Sequence, residues 1–151
     1  MRPPALSLPA EIVAEIFTKF VPNYPECPPL HGLHSPSLLG QIGGLWRAIA
    51  FSTPSLWRAV EIKVSKDDSL RVANILDILS IWLSRSGSGP LSIRLESPQP
   101  TKYITVNVDP IVDTIIRQSH RLEYLNIHIP LESLFTIEGA IDAHRCAMPL
   151  R

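Results

Sequence analysis

The residues whose types could support chemistry are few, and the first group is Cys27, His31 and His34. Their Cys-x3-His-x2-His spacing offers three side chains that bind zinc, but a structural zinc site uses four ligands. No fourth ligand follows nearby, and His144 and Cys146 come far along the chain. We therefore predict no metal site, and interpret the group as a buried cysteine with two loop histidines.

Other patterns that signal an active site are also missing. The chain contains no Gly-x-Ser-x-Gly, His-Glu-x-x-His, P-loop or Gly-x-Gly-x-x-Gly motif. Gly87-Ser88-Gly89 falls between a predicted helix and a strand, which is the wrong side for a dinucleotide loop. Asp67 and Asp68 precede a predicted helix, where capping explains them. The sequence predicts no catalytic residues and no cofactor, and hence no enzyme.

The composition of the chain argues against several further classes of protein. The 151 residues carry 14 basic and 14 acidic side chains, a balance that argues against a nucleic-acid binder. No apolar run is long enough for a membrane span, and the N-terminus has no signal peptide pattern. Two cysteines do not make a disulfide scaffold. We expect a globular protein of the cytoplasm or nucleus, with free thiols.

The first part of the chain is predicted to be helical. One helix covers Leu8 to Phe17 and must end before Pro22, with Pro9 at its first position. Apolar residues recur along it at spacing four, which predicts a wide apolar stripe: Leu8, Ile12, Ile16 and Phe20, with Val13 and Phe17 beside them. Residues 21–36 hold five of the fifteen prolines and are predicted to form a loop.

A second helical region runs from about residue 37 to 51. Ser35 is the predicted cap, with Pro36 at the first helical position. Gly43-Gly44 interrupts the apolar pattern, because each glycine costs about 1 kcal/mol in a helix interior, and predicts two short helices. Leu56 and Trp57 follow as an apolar anchor.

The rest of the chain alternates between strand and helix patterns. Predicted strands centre on Ile62, Ile93 and Ile127, at intervals of 31 and 34 residues. Helices are predicted at 70–83, from Asp109-Pro110 onward and at 131–141. Regular spacing favours a solenoid of parallel strands with right-handed crossovers, and three chance βα units remain the alternative. The fold class is predicted as α+β, with a helical domain at 6–57 and irregular repeats at 58–151 that stop before a fourth strand.

The N-terminal motifs resemble the F-box, in the form expanded in mushroom-forming fungi. The resemblance is carried by Leu8-Pro9-x-Glu11-Ile12, Ile16-Phe17, Leu38-Leu39, Gln41-Ile42, Trp46-Arg47-x-Ile49-Ala50 and Pro54-x-Leu56-Trp57. The segment from Trp82 to Leu91 is similar to the leucine-rich-repeat-like region that follows the F-box in that group. Gly43-Gly44 stands where the family usually has Cys-Arg or Cys-Lys, a departure that weakens the helix.

The resemblance implies a substrate receptor of an SCF-type ubiquitin ligase, which serves ubiquitin-dependent protein degradation. The F-box would bind a Skp-type adaptor and its cullin complex, and the repeats would hold an unknown target protein. The implied adaptor-binding residues are Leu8, Pro9, Ile12, Ile16, Phe17, Leu38, Leu39, Ile42, Trp46, Ile49, Leu56 and Trp57. The alternatives are a structural or interaction module without a ligase role, and a non-functional gene fragment.

Overall fold

The computed structural model of the chain describes residues 7–66, 72–102, 105–135 and 138–139. The fold is α+β, with a helical first part followed by alternating strands and helices. The α-helices are α1 (Ala10–Phe20), α2 (Gly44–Phe51), α3 (Val72–Arg85) and α4 (Asp109–Ile116), and the strands are β1 (Ala59–Lys63), β2 (Leu91–Glu96) and β3 (Leu122–His128). Short 3-10 helices cover Pro36–Gln41, Pro54–Leu56 and Ser119–Arg121.

The three strands form one parallel sheet in the order β1-β2-β3. This confirms the predicted parallel arrangement, which requires a crossover connection between successive strands. Val60 pairs with Ile93, which pairs in turn with Leu125. Leu91, Ile93 and Leu95 alternate along β2 and are buried in the same core as residues of α3 and α4. The period-two pattern therefore turns one face of the sheet toward the helices.

The proline-rich loop covers the outer edge of β1. The backbone N–H of Glu61 donates to the carbonyl of Pro28 at 2.8 Å, and the N–H of Leu30 donates to the carbonyl of Glu61 at 3.0 Å. Proline lacks a backbone donor but keeps its carbonyl acceptor, so a proline-rich segment can pair in this way at an edge. β3 lies at the other side of the sheet, where Tyr124 and Leu125 are about half exposed.

One hydrophobic core crosses the boundary predicted between residues 57 and 58. Trp57 and Trp82 are both buried, and their rings meet edge to face with centroids 5.1 Å apart. The core extends from Val13 in α1 to Ile115 in α4. The helical part and the βα units therefore pack as parts of a single hydrophobic cluster.

The helix starts differ slightly from prediction. Pro9 precedes α1 instead of being its first residue. Asp109 is the first residue of α4 and not its cap, because the Asn107 side chain accepts from the Asp109 N–H at 3.0 Å. The predicted Ser35 cap is confirmed, since its Oγ accepts from the N–H of Ser37 at 3.2 Å. The predicted break at Gly43-Gly44 is also confirmed, since α2 begins at Gly44 after the separate 3-10 segment.

Several predicted features lie partly or wholly outside the residues that the structure describes, and one predicted strand has a different end. The predicted helix at 131–141 is helical at 131–135 and 138–139. Asp67 and Asp68, and the pair His144 and Cys146, lie outside the described residues. The predicted strand at 122–129 is β3, which ends one residue earlier, at His128.

Candidate functional site

The candidate site begins with the apolar residues of α1, which divide between two faces. Val13 and Phe17 are buried, each only 1% exposed. The series at spacing four is exposed, and we call it the α1 stripe, which begins two residues before the helix: Leu8 (37% exposed), Ile12 (49%), Ile16 (46%) and Phe20 (39%). Isolated exposed apolar residues are common on protein surfaces, but a contiguous row of large side chains is typical of an interaction site.

A groove continues the α1 stripe toward the 3-10 segment Pro36–Gln41. Its volume is about 490 Å³, and Gln41 is the one polar residue among those that line it. The lining residues are Ile16, Phe17, Phe20, Leu38, Leu39, Gln41, Ile42 and Trp46. Phe17 and Trp46 meet edge to face inside this set, with ring centroids 5.2 Å apart. The surface is therefore an apolar slot between α1 and the 3-10 segment, of a size that admits a large side chain.

The 3-10 segment Pro36–Gln41, which forms one wall of the groove, contacts α2 at Gly40. The Arg47 Nε–H donates to the Gly40 carbonyl at 2.6 Å. A Cβ atom at Gly40 would lie 3.0 Å from the Phe51 ring, which is closer than most Cβ atoms approach a neighbour, so a side chain here would press on that ring. These contacts fix the 3-10 segment against α2.

A cation from α3 lies over the same aromatic ring. The guanidinium carbon of Arg85 is 3.4 Å from the centroid of Phe51 and 4.6 Å from that of Trp57. Desolvation by burial lowers the pKa of Arg85 from its usual value. Arginine remains charged at neutral pH because its unperturbed pKa is so high, so the cation stacks on both rings.

The twelve sequence-predicted residues fall into three groups. The exposed group supports the predicted surface and consists of Leu8, Pro9, Ile12, Ile16 and Ile42. Leu38 and Trp46 are partly exposed and line the groove. The remaining five are core residues: Phe17, Leu39, Ile49, Leu56 and Trp57.

The five core residues differ in their relation to the groove: Phe17 and Leu39 line it, whereas Ile49, Leu56 and Trp57 do not. Trp57 and Leu56 are 1% exposed, so neither can present its side chain to a partner. Sequence reasoning instead left out Phe20 and Leu45, which are 39% and 53% exposed. Phe20 belongs to the spacing-four series of α1, and that periodicity was the signal that could have placed it in the list.

The candidate metal ligands do not form a cluster. Cys27 lies with its Sγ 3.3 Å from the Ser92 Oγ, while His31 and His34 are exposed. Across the described ranges, no three His, Cys, Asp or Glu side chains come together in a way that could hold a metal ion.

Comparisons with known proteins found no matching family model, no matching curated protein and no matching solved structure. In the part of the chain that is described, no helix has both the length and the apolar character that a bilayer crossing needs.

Proposed function

We propose that this chain is an F-box-type substrate receptor of an SCF ubiquitin ligase. The α1 stripe and the groove would bind a Skp-type adaptor, and the βα units would hold a target protein. The observation that carries the proposal is the exposure of the α1 stripe while Val13 and Phe17 of the same helix are buried. A helix that shows large apolar residues to water along its whole length gains stability when a partner covers them.

The proposed adaptor surface extends beyond α1. Ile42 and Leu45 are each 53% exposed: Ile42 lines the groove just after the 3-10 segment, and Leu45 is the second residue of α2. Interfaces owe most of their binding energy to a few central apolar residues. We expect Ile12, Ile16 and Ile42 to be those residues, because they combine exposure with a position along the stripe or the groove.

In this proposal the βα units bind the target protein and also hold it in place relative to the adaptor. A receptor without catalytic residues acts by holding its target close to a bound conjugating enzyme, which raises their effective concentration. Trp57 and Trp82 join the two parts through one core. A rigid connection of this kind would keep the target at a fixed distance from the adaptor.

The experiment that tests the proposal is a titration of the purified chain with a purified Skp-type adaptor. We expect wild type to bind at micromolar concentration or below, and Ile12→Asp to weaken binding by about tenfold or more. The matched control is Ile81→Asp in α3, because Ile81 is 46% exposed and Ile12 is 49% exposed. The control should bind like wild type.

Two results would overturn the proposal. One is the absence of binding by wild type, shown to be folded, at micromolar adaptor. The other is an equal loss of affinity for Ile12→Asp and Ile81→Asp, since this would locate the effect outside the α1 stripe.

A further inference from the structure

We infer that Arg85, in α3, is a positioning residue for the apolar groove, and that it acts through Phe51 and Gly40. The inference rests on the proposed function, because the groove is the proposed adaptor site. Arg85 itself does not line the groove. It belongs to the first βα unit, outside the segment that resembles the F-box.

The first step is the contact between Arg85 and two aromatic rings. Its guanidinium carbon is 3.4 Å from the Phe51 centroid and 4.6 Å from the Trp57 centroid. The two rings themselves are 6.1 Å apart and steeply inclined, at 69°. Trp57 is buried in the core, so the contacts of Arg85 and Trp57 with the Phe51 ring favour one orientation of that ring.

The second step is the contact between Phe51 and Gly40. Two ring carbons, Cε1 and Cζ, lie 3.0 and 3.2 Å from the position that a Gly40 Cβ would occupy. The Arg47 Nε–H holds the Gly40 carbonyl from the same side at 2.6 Å. The Phe51 ring therefore limits how far the backbone at Gly40 can move toward α2.

The third step connects Gly40 to the groove. Residues on both sides of Gly40 line the groove: Leu38, Leu39, Gln41 and Ile42. A shift of Gly40 moves this wall relative to Ile16 and Phe20 on α1. Phe51 is 36% exposed, so without Arg85 its ring has room to rotate away from Gly40. Close-packed side chains transmit such a displacement to their neighbours.

The effect of Arg85 on adaptor binding depends on the fraction of molecules in which the groove is formed. If the groove is formed in only a fraction of molecules, the apparent dissociation constant rises by the inverse of that fraction. Arg85 would then set adaptor affinity from outside the adaptor surface, and the first βα unit would contribute to adaptor binding.

The test compares Arg85→Ala with Arg121→Ala, a change at a second partly buried arginine that does not line the groove. Arg121 donates to the Gly89 carbonyl at 2.9 Å and to the Ser86 Oγ at 2.6 Å, and desolvation lowers its pKa as it does for Arg85. Both replacements remove a partly buried cation and reduce stability. We expect Arg85→Ala alone to raise the dissociation constant of the adaptor complex, by about three- to tenfold.

Two further measurements separate positioning from stability. Arg85→Lys keeps the cation but loses the planar stack, so it should recover part of the affinity. In the free protein, the Gly40 amide resonance should shift in Arg85→Ala and stay in place in Arg121→Ala, because only the first change releases the Phe51 ring.

The outcomes distinguish this inference from the proposed function. If wild type binds and Arg85→Ala binds as tightly, or no more weakly than Arg121→Ala, the inference is overturned. An unmoved Gly40 resonance in Arg85→Ala overturns it too, whether or not the adaptor binds. A wild type that does not bind overturns the proposed function, and the Gly40 resonance still decides the role of Arg85.

Discussion

The Ser92 hydroxyl in β2 donates a hydrogen bond to the carbonyl of Pro25 at 2.7 Å. The two residues belong to the central strand of the sheet and to the proline-rich loop, which are far apart in sequence. Together with the edge pairing at Glu61, this bond fixes the loop against the sheet. The loop is thus a structural part of the fold as well as an insertion in the segment that resembles the F-box.

Ser92→Ala tests the contribution of that bond. Ser92 is 3% exposed, and the change removes its bond to the Pro25 carbonyl, which keeps the weaker thiol contact of Cys27 at 3.6 Å. We expect the free energy of unfolding to fall by about 0.5–1.5 kcal/mol, measured by urea denaturation. The control is Ser80→Ala, because the exposed Ser80 hydroxyl donates to the Asp77 carbonyl within its own helix. An equal effect of both changes would contradict the role of the loop contact.

The two buried tryptophans offer a matched comparison. Trp57 and Trp82 are each 1% exposed, but the Trp57 Nε1–H donates to the Ala50 carbonyl at 2.8 Å, while the Trp82 Nε1 has no hydrogen-bond partner among the described residues. Replacement by phenylalanine removes volume at both sites and a hydrogen bond at one. We expect Trp57→Phe to cost about 1 kcal/mol more than Trp82→Phe in thermal or urea unfolding. Equal costs would contradict this account.

Two glycines of the helical part should respond in opposite directions. At Gly44, an added Cβ meets no atom within 4 Å and φ is not positive, so Gly44→Ala should stabilise the protein by about 0.4–1 kcal/mol. At Gly40 the Cβ would lie 3.0 Å from the Phe51 ring, which Arg85 also contacts, so Gly40→Ala should displace that ring and be destabilising. Melting temperatures measured in parallel give the two signs, and a gain at Gly40 would contradict the close packing.

The environment of Tyr24 predicts that the free energy of unfolding depends on pH in the alkaline range. Desolvation by burial and the charge of Glu123 raise the pKa of the Tyr24 phenol, while Arg58 opposes them. A raised pKa means that the folded protein keeps the proton at a pH where the unfolded chain loses it. The stabilisation is complete below the unfolded value of about 10 and is lost as pH rises through the folded pKa.

The corresponding measurement is the free energy of unfolding between about pH 8 and 11. Wild type should lose stability across the upper part of that range, and Tyr24→Phe should lose less. Glu123→Gln is the companion variant, because it removes the charge that raises the Tyr24 pKa and should therefore also lose less stability than wild type. A Tyr24→Phe profile parallel to wild type would show that another group titrates.

The sequence predicted most elements of this fold because their patterns are local. Alternation at Ile62 and Ile93 indicates strands, and the breakers at Gly43-Gly44 and Gly87 end helices where the structure ends them. The regular intervals also predicted parallel order correctly. The strand and helix patterns depend on residues within a few positions of one another, whereas the parallel order was predicted from intervals of 31 and 34 residues.

The candidate site could be predicted only in part, because burial depends on distant contacts. Ile16 and Phe17 are adjacent and both apolar, yet one is exposed and the other lies against Trp46. Which side of α1 enters the core is decided by the packing of α2, and no periodicity within α1 contains that information. The stack of Arg85 on Phe51 was missed for the same reason, since a single arginine in a helix has no sequence pattern that names its partner.

The pairing of the proline-rich loop with β1 makes the two sides of the sheet unequal. The backbone at Glu61 is already engaged by Pro28 and Leu30, whereas β3 is the last strand of the sheet within the described chain. Backbone groups at the edge of a sheet are a template for another strand. Among the described residues the two edges of the sheet therefore differ: the loop pairs with the β1 edge, and a further strand would be added at the β3 edge.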